Sequence, residues 1–159
     1  MDENPAAPEE GSVRPSEDVV AGVGRTQTEL LEVAGLVDVV PKENLPPMKA
    51  PCSDDYAGDL YSASHSWRVD QIPEGQMREA MDRLHEGLPG RGWRVVMYEP
   101  NNSQNRRLEL RVEHEEGELF ARAAFLDSTQ PHVPDTYESE IRFTVFTPCY
   151  QEPDASERP

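Results

Sequence analysis

The chain has 159 residues, enough for one ordinary domain, and carries 31 acidic residues against 15 basic ones, a formal net charge of −16. It contains no apolar run near the roughly 20 residues that span a bilayer, and so acidic a chain lacks the basic face that nucleic-acid binding requires. Its two cysteines are too few for a zinc finger or a disulfide-dense miniprotein. The composition therefore excludes these classes and predicts one modest hydrophobic core.

Both ends of the chain have the composition of disordered segments. Residues 1–24 hold three prolines, and their six acidic residues stand against one arginine. A segment with so little to bury does not offset the entropy cost of ordering it. We therefore predict a disordered acidic tether over residues 1–24 and a disordered tail over residues 151–159.

Residues 25–51 are predicted to form a short helix followed by a strap. Apolar residues recur at 3- and 4-residue steps between positions 26 and 40, which is typical of a helix, and Pro41 ends it. Four prolines then fall between positions 41 and 51. This spacing excludes a helix and favours an extended, polyproline-like strap that lies across a surface.

Residues 52–150 have the pattern of an α+β domain. Apolar and polar residues alternate from Tyr61 to Val69, a helix with one apolar face follows Pro73, and four more alternating stretches come after it. The predicted order is β-α-β-β-β-β. Trp67 and Trp93 are predicted to anchor the core. We assign the chain to the α+β class, with a single antiparallel sheet of about five strands and one main helix packed on one face.

The face of the sheet that this helix leaves open is predicted to be charged. Arginines and glutamates occupy it in positions that favour ion pairs between neighbouring strands. Exposed pairs contribute only about 0–1 kcal/mol each, so replacing Arg111 and Arg122 by glutamate is expected to leave the fold nearly intact. We predict that this face binds a partner through four arginines: Arg94, Arg111, Arg122 and Arg142.

The two cysteines lie at the boundaries of the predicted domain. Cys52 follows the strap and Cys149 follows the last strand, so a disulfide would close a loop of about 100 residues and imply an oxidising compartment. The alternative is two separate buried thiols in a cytosolic protein. We predict the disulfide and, with it, an extracellular or cell-envelope location. Residues 1–24 have no apolar signal segment, so the signal is expected to have been removed.

Three stretches of the chain together form a recognisable pattern: a cysteine after a proline strap (residues 36–69), a helix that ends in a Gly-Trp turn into a strand (78–100), and a final Pro-Cys (146–151). With these features the chain resembles the mature part of small actinobacterial envelope lipoproteins of unknown function. The resemblance covers about residues 30–151. It implies an exported protein that touches a membrane only through a lipid anchor, whose cysteine this sequence lacks. It carries no known activity and assigns no functional residues.

Motifs that carry catalysis are missing from the sequence. It contains no G-x-S-x-G, H-E-x-x-H, C-x-x-C or phosphate-binding loop, and its histidines lack metal-ligand spacing. We therefore predict no metal site and no cofactor. His65, on the apolar face of the first strand, is interpreted as a core residue. The acidic stretches 53–59 and 113–118 are interpreted as turns rather than as cation sites.

These observations favour a non-catalytic binding module, exported and monomeric, whose partner is a protein or an envelope polymer and not nucleic acid. The alternative is a small enzyme or metal-dependent accessory factor that uses His65 and nearby carboxylates such as Asp54. A deep pocket that contains His65 and a carboxylate would favour the alternative. A domain without such a pocket would favour the binding module.

Overall fold

Two helices and one antiparallel sheet form the part of the chain that the computed structural model describes, residues 12–52 and 60–153. The elements in chain order are α1 (Ser16–Ala34), β1 (Met48–Pro51), β2 (Leu60–Asp70), α2 (Glu74–Gly87), β3 (Trp93–Pro100), β4 (Leu108–His114), β5 (Phe120–Leu126), β6 (Glu140–Phe146) and β7 (Tyr150–Gln151). A 3₁₀ turn, Leu88–Arg91, joins α2 to β3. The α+β class is therefore confirmed.

The sheet has seven strands: six follow the order β1-β2-β6-β5-β4-β3, and the seventh, β7, pairs with the start of β2. Every neighbouring pair is antiparallel. Strands β3 to β6 follow one another as a meander, and β2 then pairs with β6. The two strands beyond the predicted five come from the end of the strap, which forms β1, and from the residues after the disulfide, which form β7.

Both helices pack against one face of the sheet, which we call the inner face, and the hydrophobic core lies between them. Trp67 is buried in this core, and its ring stacks on Phe143 with 5.0 Å between the ring centroids. Trp93 is also buried, and its Nε1–H donates a hydrogen bond to Glu29 of α1 at 3.2 Å. Both tryptophans are confirmed as core residues that join the sheet to other elements.

The predicted tether is wrong from residue 12 onward, because residues 12–14 pair with Gln151 and α1 begins at Ser16. Val19, Val20 and Val23 extend the apolar stripe of this helix toward its N-terminus, and Val23 is fully buried. Burial of these side chains offsets the entropy cost of ordering the segment. Residues 1–11, the first part of the predicted tether, lie outside the described residues.

The end of α1 also differs from the predicted helix, which ran to residue 40. The helix ends at Ala34 because Gly35 adopts a left-handed conformation with φ of 74°. The Gly35 N–H donates to the carbonyl of Glu32 at 3.1 Å, which satisfies a carbonyl at the end of the helix. A Cβ at position 35 would lie 2.0 Å from the guanidinium of Arg83. The Arg83 side chain is flexible and could move aside, so it is the left-handed conformation that favours glycine here.

The strap is extended, as predicted, and lies along the edge of β2. Lys42 pairs with Arg68, and β1 continues this contact as an antiparallel ladder with β2. The strap also contacts α1, because a Cβ on Gly24 would lie 3.3 Å from the ring of Pro47. The strap therefore lies against both the first helix and the sheet.

The predicted tail over residues 151–159 is wrong at its start. Gln151 belongs to β7 and forms an isolated parallel bridge with the segment before α1. The Gln151 N–H donates to the carbonyl of Ser12 and its carbonyl accepts from the Arg14 N–H, both at 2.8 Å. These hydrogen bonds explain why the segment is ordered despite its polar composition. Residues 154–159 lie outside the described residues.

Two further links hold the C-terminal end of the domain. The predicted Cys52–Cys149 disulfide is confirmed, with 2.06 Å between the sulfur atoms and 6.4 Å between the Cα atoms. Glu152 accepts hydrogen bonds from Lys49 Nζ at 2.6 Å and from the Ser16 N–H at 3.0 Å, and they lower its pKa to about 2.

Neither helix in the described ranges is long and apolar enough to cross a membrane.

Candidate functional site

The face of the sheet opposite the helices, which we call the outer face, carries the four arginines selected from the sequence. Cross-strand register places Arg111 of β4 beside Arg122 of β5, and Arg122 beside Thr144 of β6. Arg111, Arg122 and Thr144 thus form one row of paired residues across the sheet. Arg94 of β3 belongs to the next outward-facing row on one side, and Arg142 of β6 belongs to the next such row on the other side. The structure therefore brings Arg111 and Arg122 together, with the other two on either side.

An open groove of about 440 Å³ crosses the outer face, and we call it the outer slot. Its two walls are rows of paired residues from β4, β5 and β6: Glu113, Phe120 and Phe146 on one side, and Arg111, Arg122 and Thr144 on the other. Val112 and Ala121, which lie between the rows, also line it. One wall is therefore mainly aromatic and the other mainly cationic.

The aromatic wall exposes apolar surface. The rings of Phe120 and Phe146 stack with 5.2 Å between centroids, and the Phe146 side chain is 43% exposed. Val96 of β3 extends this apolar surface and is 53% exposed. It lies in a register shift between Val95 and Met97, where a β-bulge interrupts the alternation of the strand.

The sequence analysis missed these aromatic residues, although the alternation of the strands contains the signal. Phe120 stands two residues before Arg122, and Phe146 stands two residues after Thr144. Residues two apart in a strand point to the same face, so the strand that exposes Arg122 also exposes Phe120. A search of the charged face for its apolar exceptions would have found both.

A buried carboxylate lies beside the arginine wall of the outer slot. Glu109 of β4 is on the outer face but is only 2% exposed. It accepts hydrogen bonds from Arg111 Nε and, at 2.9 Å, from Asn101 Nδ2, and Arg122 Nη1 lies 4.0 Å away. Burial disfavours the charged form of Glu109, but the hydrogen bonds from Arg111 and Asn101 outweigh this and lower its pKa.

The burial of Glu109 corrects one expectation from the sequence. Replacing Arg111 was expected to be nearly neutral because the ion pairs of this face were taken as exposed. For Arg111 this premise is wrong, since its partner is buried. Removing Arg111 leaves the buried negative charge of Glu109 without one of its hydrogen-bond donors. This lowers the free energy of unfolding more than the loss of an exposed ion pair does.

A second buried carboxylate, Glu140 of β6, binds Arg142. It accepts hydrogen bonds from Arg142 Nε at 2.8 Å and from Arg107 Nη2 at 3.0 Å, while Arg68 Nη1 lies 3.5 Å away. Burial raises the pKa of Glu140, but the hydrogen bonds from Arg142 and Arg107 have the larger effect and lower it. The same hydrogen bond raises the pKa of Arg142. The position of the Arg142 side chain is therefore fixed by its contacts with the sheet, although the side chain is half exposed.

The four predicted arginines differ in how far the fold already uses them. Arg94 contacts Glu113 of the neighbouring strand, and Arg111 and Arg142 are bound by the two buried carboxylates. Arg122 is different: its side chain is 50% exposed, and it donates no hydrogen bond to any residue within 12–52 and 60–153. Arg122 thus differs from the other three in that no described residue accepts a hydrogen bond from its guanidinium, so all of its donors are available to a partner.

His65 is 5% exposed on the inner face, where it contacts the strap. Its Nε2–H donates to Asn44 Oδ1 at 2.8 Å, and the same oxygen accepts from Gln27 of α1 at 2.9 Å. Burial lowers the pKa of His65, which favours the neutral imidazole. Its ring also lies 5.0 Å from that of Trp67. These contacts describe a packed residue that links strap, helix and sheet; Asp54 lies outside the described residues.

The acidic stretches offer no metal centre in the described residues. Residues 53–59 lie outside them. In the stretch 113–118, Glu113 contacts Arg94 and Glu118 contacts Arg14. Within 12–52 and 60–153, no group of three histidine, cysteine, aspartate or glutamate side chains is placed to hold a metal ion.

The fold and the outer face together define a small, disulfide-closed α+β domain in which helices cover one side of the sheet and the other side is open. Comparisons with protein-family models, with curated proteins and with solved structures gave no match. What the domain does therefore has to be inferred from the contacts and charges of its own surface.

Proposed function

We propose that the chain is a non-catalytic, exported binding domain whose outer face contacts a partner protein or a polymer of the cell envelope. The observation that carries this proposal is the outer slot. There, exposed aromatic and aliphatic side chains stand beside an arginine that has unused hydrogen-bond donors. Helices cover the inner face, so the outer face is the broad sheet surface that remains accessible.

The composition of the slot is that of a protein interface. Large exposed apolar patches on a folded domain mark interaction sites, since their exposure to water is unfavourable. Phenylalanine and arginine are also enriched in protein interfaces, and arginine is enriched among the residues that contribute most to binding. Phe146 and Val96 supply the apolar surface, and Arg122 supplies the polar contact.

Export is supported by the disulfide. Structural disulfides persist in oxidising compartments and are rare in the cytosol, and the Cys52–Cys149 bond closes most of the folded region. The resemblance to envelope lipoproteins points in the same direction. A lipid anchor on the precursor belongs to this proposal and would keep the domain at the membrane surface.

The proposal can be tested with a double variant of the slot, Arg122→Gln with Phe146→Ser. Arg122 is not hydrogen bonded to the buried Glu109, so these changes should preserve the fold. The wild-type chain, immobilised, is used to recover binding partners from a cell-envelope extract, which are then quantified by mass spectrometry. The double variant should lose whatever the wild type recovers specifically.

The matched control makes the same kinds of change on the helical side of the domain, Arg25→Gln with Val37→Ser. Both side chains are exposed there, so the control also removes one positive charge and one exposed apolar side chain. Circular dichroism and urea denaturation verify that all three proteins fold. If the slot variant and the control recover the same partner as the wild type, the outer slot is not the binding surface.

A further inference from the structure

We propose that the outer slot binds an extended acidic segment of a partner protein, with an aromatic or aliphatic side chain against Phe120 and Phe146 and a carboxylate on Arg122. This inference rests on the proposed function, because it names the chemistry of the partner that the outer face binds. Three features of the slot carry it: the aromatic wall, the unbalanced charge of the opposite wall, and the open shape between them.

The aromatic wall selects an apolar or aromatic side chain. Phe120 and Phe146 stack on each other at the β5–β6 end of the slot, and Val96 adds exposed apolar surface at its β3 end. An aromatic ring placed here contacts a ring already held in position, which gains contact area without ordering new protein groups. A partner that placed only polar groups here would gain nothing from burying this apolar surface.

The opposite wall carries more positive than negative charge. Arg111 and Arg122 stand side by side, and the carboxylate that both contact is the buried Glu109 of β4, two residues before Arg111. The two arginines carry two positive charges against the one negative charge of Glu109, and only Arg111 is hydrogen bonded to it, while Arg122 Nη1 lies 4.0 Å away. A guanidinium with free donors binds a carboxylate through short, charge-assisted hydrogen bonds. The partner group that complements this wall is therefore an aspartate or glutamate side chain.

The shape of the slot favours an extended chain over an enclosed small molecule. The slot crosses from β3 to β6, three strand spacings, which is about 14 Å at the usual 4.7–4.9 Å between strands. That length accommodates about four extended residues at roughly 3.3 Å each. Small-molecule pockets bury most of their ligand, whereas this groove is open to solvent along one side. An open groove suits a peptide that continues beyond it.

The experiment uses an array of immobilised octapeptides with randomised central positions, probed with the fluorescently labelled full chain. The wild type should select peptides that combine aspartate or glutamate with phenylalanine, tryptophan or leucine within four residues. Arg122→Gln should weaken binding of these peptides about tenfold and abolish the preference for acid. Phe146→Ser should instead reduce the preference for the apolar residue and retain the preference for acid.

A matched control is Arg94→Gln, which removes an arginine of the same face whose guanidinium already contacts Glu113. It should select the same peptides as the wild type with similar affinity. Raising the salt concentration should weaken wild-type binding more than that of Arg122→Gln, since the screened contact is absent from the variant.

Selection of basic or neutral peptides by the wild type, or the same acidic selection by Arg122→Gln, would overturn the inference. Binding of neutral glycans on a parallel array, with no acidic peptide selected, would also overturn it. These outcomes are separable from failure of the proposed function. If capture from envelope extract still depends on Phe146 and Arg122, the outer face binds a partner and only its assigned chemistry is wrong.

Discussion

Removing the disulfide by the double substitution Cys52→Ser and Cys149→Ser should lower the free energy of unfolding by up to about 4.7 kcal/mol. The two cysteines are 97 residues apart in the sequence, and the chain-entropy relation for a loop of that length gives this value at 25 °C. The effect arises mainly in the unfolded state, which the bond prevents from expanding. In the folded state, pairing of β1 and β7 with β2 already brings the two cysteine segments together. Residual compactness of the unfolded chain reduces the loss to about 3–4.7 kcal/mol.

The assay is urea denaturation followed by tryptophan fluorescence, for the wild type, the wild type with a reducing agent, and the serine variant. The denaturant dependence of the free energy should steepen without the bond, since the released unfolded chain exposes more surface. The reducing agent should not affect the serine variant, which controls for side effects. A loss below about 1 kcal/mol would refute the loop-closure reasoning. Thiols that are freely alkylated in the folded, non-reduced protein would refute the bond itself.

Three smaller predictions concern single residues, all measured by urea denaturation. Arg111→Glu should cost about 3 kcal/mol because its glutamate partner is buried, whereas Arg94→Glu should cost about 0–1 kcal/mol; equal costs would contradict the distinction. The pKa of Glu152 is lowered to about 2 in the folded state. The Glu152 carboxylate therefore contributes fully to the free energy of unfolding above its unfolded-state pKa of about 4.3, and this contribution is lost as the pH falls toward 2. Glu152→Gln should remove that part of the acid dependence, and an unchanged profile would argue against the contact. Gly35→Ala should destabilise by about 1 kcal/mol or more, while Gly75→Ala, where nothing lies within 4 Å of the added carbon, should stabilise by about 0.5–1 kcal/mol.

The regular part of the fold could be predicted because its periodicity is strong. Alternation in β2 and the 3- and 4-residue spacing of α2 each reflect one buried face, so their positions follow from the sequence alone. The start of α1 could not be predicted from composition, since acids, glycines and prolines around its valines suggested disorder. The valines become stabilising only when the sheet and strap supply surfaces to cover them. Deleting residues 1–24 would therefore remove part of the core, as the burial of Val23 shows.

The candidate site was predicted only in part, for a similar reason. Alternation correctly placed Arg111 and Arg122 on the outer face. It gave no indication that Glu109, on the same face, is nearly inaccessible, because that depends on side chains from outside its strand, such as Asn101. The hydrogen bonds of the arginines likewise depend on side-chain positions: Arg111 and Arg142 each donate to a glutamate two residues earlier on their own strand, and Arg122 has no glutamate at that position. Local pattern therefore predicts which face a residue occupies, and tertiary contacts decide whether it is available to a partner.

The parallel bridge between Val13 and Gln151 has a mechanical consequence. Residues 12–14 run in the same direction as residues 150–152, so tension applied in opposite directions at residues 12 and 153 acts along this bridge. Its two hydrogen bonds, Gln151 to Ser12 and Arg14 to Gln151, are then sheared together instead of being opened one after the other. Because Gln151 belongs to β7, these hydrogen bonds attach residues 12–14 directly to the sheet and resist such tension where the two ends of the described domain meet.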